Sequence, residues 1–576
     1  MRFTTTFCAI VSLLCGLAVP KVTAQAGNPA AVDSQVRDAL RKALDAEVPP
    51  ATAAPVTPAA VTIPAPESTP QVAPRVVVVP SSTNATTASL SLDEAIRLAL
   101  VHNLSLQVQR YTPLIAEYDR RRLYGVYDPT FSSGVGWNET LREPGGINLN
   151  TGNTTPGTRS ETRDAYAGIS GYLPSGMTYG LSHDAARNYV ATPQFIGTNS
   201  FGEAVYTKSS DTTYSSLASF TATQPLLRDF WIDGTRLSIQ LARRNVTISQ
   251  LDLERMMMTV INTVEQAYYE LIAQREVVRV READVTVRKQ FYDEQRRRVE
   301  VGTLAPLEEK LAQSEVAAAE IALLYARNDA VTAENSLKGL IRDDFLGQLN
   351  VRLSLTDSLL AVPATFDLQN AVQDSLQARP DLQAQRVNLE KLQIQLKYDY
   401  NQLFPRLDLT GTLGYNGLDQ ELSGALRDIR ERTYDQNSLG LALSFPLTMH
   451  AERNARKSTK AAQAQAVVAV KQLEEAIIQE VEGQIRLLRT AWSAIPLTRE
   501  QTAYAQAALE AEQKKLAAGK STSFEVLALA RALTTAQVNE IATLRDYNRA
   551  LSELAFRKGA TLQRWRIDRP VPPSKK

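Results

Sequence analysis

The sequence predicts a mainly helical chain that carries membrane β-strands, built as two copies of a helix–strands–long helix–helix unit. Three observations lead there: an internal duplication, two helical stretches far longer than a globular core needs, and strand segments with one apolar and one polar face. The 576 residues hold 63 Lys and Arg against 62 Asp and Glu, a net charge of +1. That balance gives no electrostatic reason to expect nucleic acid as a partner. Hydrophobic residues are 44% and charged residues 22%, which fits neither wholesale disorder nor a polytopic helical membrane protein.

The first segment reads as a secretory signal peptide over residues 1–24. Arg2 precedes the apolar run Phe7 to Val19, and Val22-Thr23-Ala24 or Ala24-Gln25-Ala26 offers a small-residue cleavage site. Both cysteines, Cys8 and Cys15, lie inside it, so the exported chain has no thiol for a disulfide or a metal. Residues 25–88 follow as a Pro- and Ala-rich disordered tether, with nine of the 27 prolines between Pro49 and Pro80.

The duplication appears when the chain is laid on itself. With a shift of 276, Leu92, Ala95, Leu100, Leu106, Gln107, Gln109, Arg110, Tyr124 and Pro129 fall on Leu368, Ala371, Leu376, Leu382, Gln383, Gln385, Arg386, Tyr400 and Pro405. The first copy spans 89–347, with strands within about 128–227 and helices over 229–342; the second spans 363–560, with strands within about 405–447 and helices over 451–557. Residues 561–576 are left as a C-terminal tail. Each copy opens on a helix with a marked start, a capping box at Ser91 and Glu94 and an N-cap at Asp367.

After Pro405 the apolar period becomes two. Leu407, Leu409, Gly411, Leu413 and Tyr415 take one face, and Arg406, Asp408, Thr410, Thr412 and Gly414 the other. A polar loop over Asn416–Gln436 leads to a second alternation, from Leu439 to Phe445. Strands of about ten residues suit a tilted crossing of a membrane barrel, although a soluble antiparallel sandwich alternates in the same way. In the first copy the strand signal is spread over Phe131–Trp137, Tyr166–Leu173, Met177–His183 and Tyr214–Thr223. Leu173-Pro174-Ser175-Gly176-Met177 reads as a tight turn joining two extra strands, which either enlarge the barrel or form an outer hairpin.

From Thr235 to Val301 there is neither Gly nor Pro, and helical spacing holds throughout, which predicts a rod of roughly 100 Å. The second copy offers a partner over Ala451–Ala517, where Pro496 is expected to kink or break the helix. Both rods end at a glycine, Gly302 and Gly519, and shorter helices return over Pro306–Leu340 and Phe524–Phe556. Four clear strands cannot close a membrane barrel, so the chain is expected to oligomerise.

These features resemble the TolC-like outer-membrane efflux and secretion channel family over about residues 89–560. The resemblance is carried by Leu92-Asp93-Glu94-Ala95-Ile96 with Asn103, by Leu368 to Val372 with Arg379-Pro380-Asp381-Leu382, by Gln224-Pro225-Leu226-Leu227 and Phe445-Pro446-Leu447, and by the two Gly turns. It implies a homotrimer whose strands form one shared β-barrel in the outer membrane, continued by a periplasmic α-helical barrel. It further implies a passive conduit of a tripartite efflux or type I secretion system, opened by a periplasmic adaptor protein and driven by an inner-membrane transporter. The adaptor-docking tip matches Val301, Gly302, Thr303, Gly519 and Lys520. Glu308 and Glu525 match acidic pore-constriction positions, although an acidic residue in a first helical turn also simply complements the helix dipole. Asp408, Thr410 and Thr412 would face the barrel lumen. A further acidic gate position of the family falls on Ala528.

The competing reading is a periplasmic coiled-coil structural protein without a membrane barrel. Catalysis is not expected: His102, His183 and His450 are scattered, and no H-E-x-x-H, G-x-S-x-G or phosphate-cradling glycine loop is present. No cofactor and no metal are expected. Arg120-Arg121-Arg122 and Arg296-Arg297-Arg298 read as solvated helix faces.

Overall fold

A computed structural model describes residues 87–142, 157–201, 204–342, 344, 351–363 and 367–568. The expected signal peptide and tether, and the end of the C-terminal segment, lie outside the described residues. The first copy contains β1 (Thr87–Leu90), α1 (Leu92–His102), α2 (Leu104–Arg122), β2 (Thr130–Leu141), β3 (Arg159–Tyr172), β4 (Thr178–Thr198), β5 (Ala204–Pro225), α3 (Gly234–Glu300) and α4 (Pro306–Ile341). The second contains β6 (Arg352–Leu355), α5 (Leu368–Ala378), α6 (Pro380–Asn401), β7 (Arg406–Asp419), α7 (Leu422–Glu431), β8 (Tyr434–Ser444), α8 (His450–Ala517), α9 (Ser523–Arg557) and α10 (Thr561–Arg564).

The paired residues of the duplication do the same work in each copy. Ala95 and Leu106 are buried in one core and Ala371 and Leu382 in the other. Gln107 Nε2 donates to the carbonyl of Val101 at 3.2 Å, and Gln383 Nε2 to that of Gln377 at 2.8 Å. Arg110 and Arg386 reach back to the carbonyls of Leu100 and Leu376. A helix end leaves four carbonyls without intrahelical partners, and these side chains satisfy two of them in each copy, where α1 passes into α2 and α5 into α6. Ser91 Oγ caps α1 at the amide of Glu94, and Asp367 caps α5 at that of Gln369.

All six long strands form one antiparallel sheet in the order β2-β3-β4-β5-β7-β8, while β1 and β6 pair in parallel beside the helices. The strands of the first copy outrun the sequence expectation, β4 reaching 21 residues and β5 22. Lys208 to Thr213 of β5 is polar on both faces, and the far half of β4 puts Tyr189 and Phe195 on one face and Val190 and Ile196 on the other, so alternation gives no sign of them. The loop expected over Asn416–Gln436 contains α7, whose Leu422, Ala425, Leu426 and Ile429 have helical spacing. It lies directly on β7: a Cβ at Gly417 would stand 1.9 Å from the carbonyl oxygen of Ala425, so the contact requires glycine.

The long helices α3 and α8 have 67 and 68 residues. Of the kink or break expected at Pro496 the break does not occur, and α8 continues through it; Ile495 beside it is buried and Trp492 packs on Tyr547 with ring centres 5.3 Å apart. Packing there outweighs the lost hydrogen bond. The expected C-terminal tail also needs correction within its described part. Leu562 is buried in the first copy's core, with Trp565 and Ile567 against it, and Trp565 Nε1 donates to the fully buried Glu265 at 2.9 Å. Among the described residues no helix is long and apolar enough to cross a membrane.

In the second copy Arg379 binds Asp381 at 2.6 Å and Glu480 at 2.7 Å, and Arg557 adds a bond to Glu480 at 2.9 Å. Burial by itself would raise both carboxyls; the guanidinium groups more than reverse this and hold them below their ordinary values. A lowered carboxyl stabilises the fold above its unfolded value and loses that contribution as pH falls through the lowered one. Arg379→Met is therefore expected to cost about 1–2 kcal/mol near neutral pH, a figure discounted for the exposure of Glu480. It should also lose less stability than the parent between about pH 6 and about pH 3. Thermal unfolding followed by circular dichroism checks this; equal pH dependence in both proteins would remove the cluster from acid sensitivity.

Candidate functional site

The sheet presents two chemically different faces. One carries Thr130, Ser132 and Asn138 of β2, Thr162 and Ser170 of β3, Ser182 and Asn188 of β4, Ser219, Thr221 and Thr223 of β5, Asp408, Thr410 and Thr412 of β7, and Gln436 and Ser438 of β8. Hydroxyls on this face meet across strands: Thr221 with Thr412 and Thr223 with Thr410, each at 3.2 Å. Asp408 accepts from Arg406 at 2.7 Å. The three residues expected at a lumen thus share one polar face. The opposite face carries Phe131, Val135, Ile169, Leu181, Phe220, Leu413, Leu439, Leu441 and Leu443, and the last three are 80%, 63% and 60% exposed. A row of bare leucines in the ladder suits contact with hydrocarbon.

Sheet passes into rod through a clasp. The amide of Leu226 donates to Leu407 O at 2.7 Å, that of Asp229 to Asn401 Oδ1 at 2.8 Å, and Arg228 Nε to Gln402 Oε1 at 2.6 Å. Asp233 then caps α3 by accepting from the amide of Arg236 at 2.7 Å.

At the far end of the rods the two turns are built alike. Gly302 has φ +74° and Gly519 φ +70°, a region that favours glycine. In the first turn the amides of Gly302 and Thr303 donate to Val299 and Arg298 carbonyls, both at 2.9 Å. In the second those of Gly519 and Lys520 donate to Leu516 and Lys515 carbonyls at 3.0 and 2.8 Å. This is the Schellman closure, repeated across the duplication. Val301, Gly302, Thr303, Gly519 and Lys520 are all exposed.

The acidic candidates differ. Glu525 stands in a first turn capped by Thr522, which accepts from its amide at 3.4 Å, and its carboxylate accepts from Ser521 at 2.8 Å. Ser521 also donates to Glu512, whose carboxyl is lowered by that hydroxyl and by Lys515. Glu308 opens α4, and its Oε2 is buried without a hydrogen-bond partner. The two glutamates are not brought into contact by a hydrogen bond or ion pair with each other.

A cluster that the sequence did not reveal links the two helical pairs above these turns. Glu315 on α4 accepts from Arg288 of α3 at 2.6 Å and from Arg531 of α9 at 2.7 Å, while Arg288 also holds Asp284 at 2.9 Å. Ser523 Oγ meets Gln295 Oε1 at 3.4 Å nearby. Only Asp284 and Arg288, four apart on one helix, left a local trace; Arg531 is 216 residues from its partner. The arginine triplets do behave as helix faces, Arg120 and Arg121 binding Glu117 and Arg296 binding Glu300.

The outer membrane efflux protein family model matches residues 177–341 and 371–560, well over half of the chain. The chain belongs to that family. Solved channels share its fold: OprN at 15% identity, covering 81% of this chain and 90% of that one with TM-score 0.58; CmeC of Campylobacter jejuni at 14%, 87% and 94%, with TM-score 0.57; and VceC of Vibrio cholerae at 16%, 81% and 96%, with TM-score 0.55. No curated protein matches the sequence. As an outer membrane efflux protein the chain is a transport channel and not an enzyme, with its strands in the outer membrane and its long helices on the periplasmic side. The coiled-coil scaffold reading is set aside.

In this efflux protein Glu315 ties the returning helix α4 to α9. Glu315→Ala is expected to loosen the tip and raise single-channel conductance several-fold, and to lower the thermal midpoint because the buried Arg288 loses one of its two carboxylates. Unchanged conductance would take the cluster out of tip closure.

Proposed function

We propose that three copies form one passive conduit, with the strands closing a shared barrel and the rods continuing it as a tunnel across the periplasm. The supporting observation is a sheet with one polar and one apolar face, open at β2 and β8, that runs directly into helices of about 100 Å. A spanning sheet has to pair every backbone group, so its open edges require neighbouring copies. A periplasmic adaptor docks at the tip formed by Val301, Gly302, Thr303, Gly519 and Lys520, and an inner-membrane transporter supplies the energy. Asp408, Thr410 and Thr412 line the lumen, and Glu308 and Glu525 line the constriction.

The direct test is single-channel current of the purified protein in a planar bilayer, together with its oligomeric mass. Small, long-lived conductance from a trimer is expected; a protein that never inserts would overturn the reading. Gly302→Asp with Gly519→Asp should abolish adaptor capture and leave the oligomer intact, because charge and strain are added only at the exposed turns. Full capture by this variant would move docking elsewhere. Replacing Glu308 and Glu525 by Ala should raise conductance and weaken block by multivalent cations, whereas unaltered current and block would leave both as helix-start residues only.

A further inference from the structure

We propose that the barrel closed by three copies has eighteen strands, six from each, so that the channel mouth is much wider than a barrel of two strands per repeat. The proposal rests on the trimeric reading above and concerns the hairpin β3–β4, which the second copy lacks. There one outward strand, β7, pairs directly with one inward strand, β8. In the first copy the corresponding strands are β2, which follows α2, and β5, which precedes α3, and they do not pair with each other. The hairpin stands between them as part of the wall.

Its registers are continuous on both sides. β2 pairs with β3 from Thr130↔Ser170 through Leu141↔Arg159, and β4 pairs with β5 from Thr178↔Thr223 up to the irregularity at Phe195 and Gly197. Both faces carry on through it. On the polar face Thr162 meets Asn188 at 3.1 Å and Ser182 meets Ser219 at 3.2 Å, extending the hydroxyl pairs that join β5 to β7. On the other face Ile169 and Leu181 stand between Phe131 and Phe220, Ala165 and Ala185 continue from Val135, and the buried His183 is satisfied by Ser216 at 2.9 Å. A hairpin standing outside a barrel has no reason to match both faces of its wall.

The turn at the helix end is fixed as well. Leu173 N donates to Met177 O at 2.8 Å, and Gln224 Nε2 donates to Ser175 O at 3.1 Å, which ties the hairpin to the end of β5 beside the clasp. The free edges suit each other: β2 runs away from the helices and β8 toward them, so the β8 of one copy and the β2 of the next meet antiparallel.

At a strand spacing of about 4.8 Å and a tilt near 40°, eighteen strands give a wall about 36 Å across between backbones, and twelve about 24 Å. Passage through the wider wall is not limited by size in the membrane, and selection falls to the helical tip.

Electron cryomicroscopy of the full chain in lipid nanodiscs, viewed along the barrel, with the mass measured in parallel, tests this. A threefold wall about 36 Å across supports the proposal; a threefold wall about 24 Å across with three lobes outside it overturns it. A mass other than three copies overturns the trimeric reading alone, and the strand count per copy, read from the symmetry and diameter, still decides whether the hairpin belongs to the wall. Deleting residues 159–198 joins the outer ends of β2 and β5 and should narrow the wall to about 24 Å; an unchanged diameter would overturn the proposal. Should that variant fail to fold, a cysteine at Asp164 on the polar face should react with an impermeant thiol reagent in liposomes while one at Ile169 is shielded by lipid. Equal reactivity at the two sites would place the hairpin outside the wall.

Discussion

A strand can become a helix without exposing its polar backbone only if something else takes up the bonds that neither ladder nor spiral provides. The clasp between residues 226–233 and 401–405 does this. The ladder's last bond, from Leu226 to Leu407, hands over to side chains of Asn401 and Gln402, and these hand over to Asp233 at the start of α3. Asp229 sits at φ 66° within it, a conformation that costs free energy and is held because three separate groups fix its surroundings. The direction of the rods relative to the sheet follows from this joint, and their length sets the distance to the two Gly turns.

The duplication made most of the scaffold legible. Gln107 and Gln383, or Arg110 and Arg386, are identical because each copy turns one helix into the next and must cap the same kind of carbonyls. Rod lengths and the strands with an apolar face follow from periodicity, which burial imposes. Where burial stops, legibility stops. The far halves of β4 and β5 do not separate apolar from polar residues by face, and their ladder is set by partners rather than by pattern. Leu562, Trp565 and Ile567 looked like the end of a chain because their partners, among them Glu265, lie some three hundred residues away. Pro496 was overruled by side-chain packing.

The tip shows the same division. Its turns were readable because a left-handed backbone position favours glycine almost regardless of context. The Glu315 cluster was not, because ion pairs between helices leave no period in a sequence. Its energetics also differ from those of the exposed pairs along the rods. Arg288 is 6% exposed, so its charge depends on Asp284 and Glu315 for compensation. Removing one partner of such a group costs far more than removing a solvated pair. The cluster therefore differs in kind from the row of surface salt bridges along the rods.

Sheet and tip obey opposite demands. In hydrocarbon an unpaired amide costs several kcal/mol, so the wall has to be continuous, and additional strands are tolerated provided that they keep both faces and both registers. The β3–β4 hairpin meets that condition strand by strand. At the tip, water supplies partners for any group that is released, and opening a contact there costs only the difference between two hydrogen-bonded states. The clasp and the long helices separate the two by about 100 Å, so the demands of hydrocarbon on the sheet do not reach the turns.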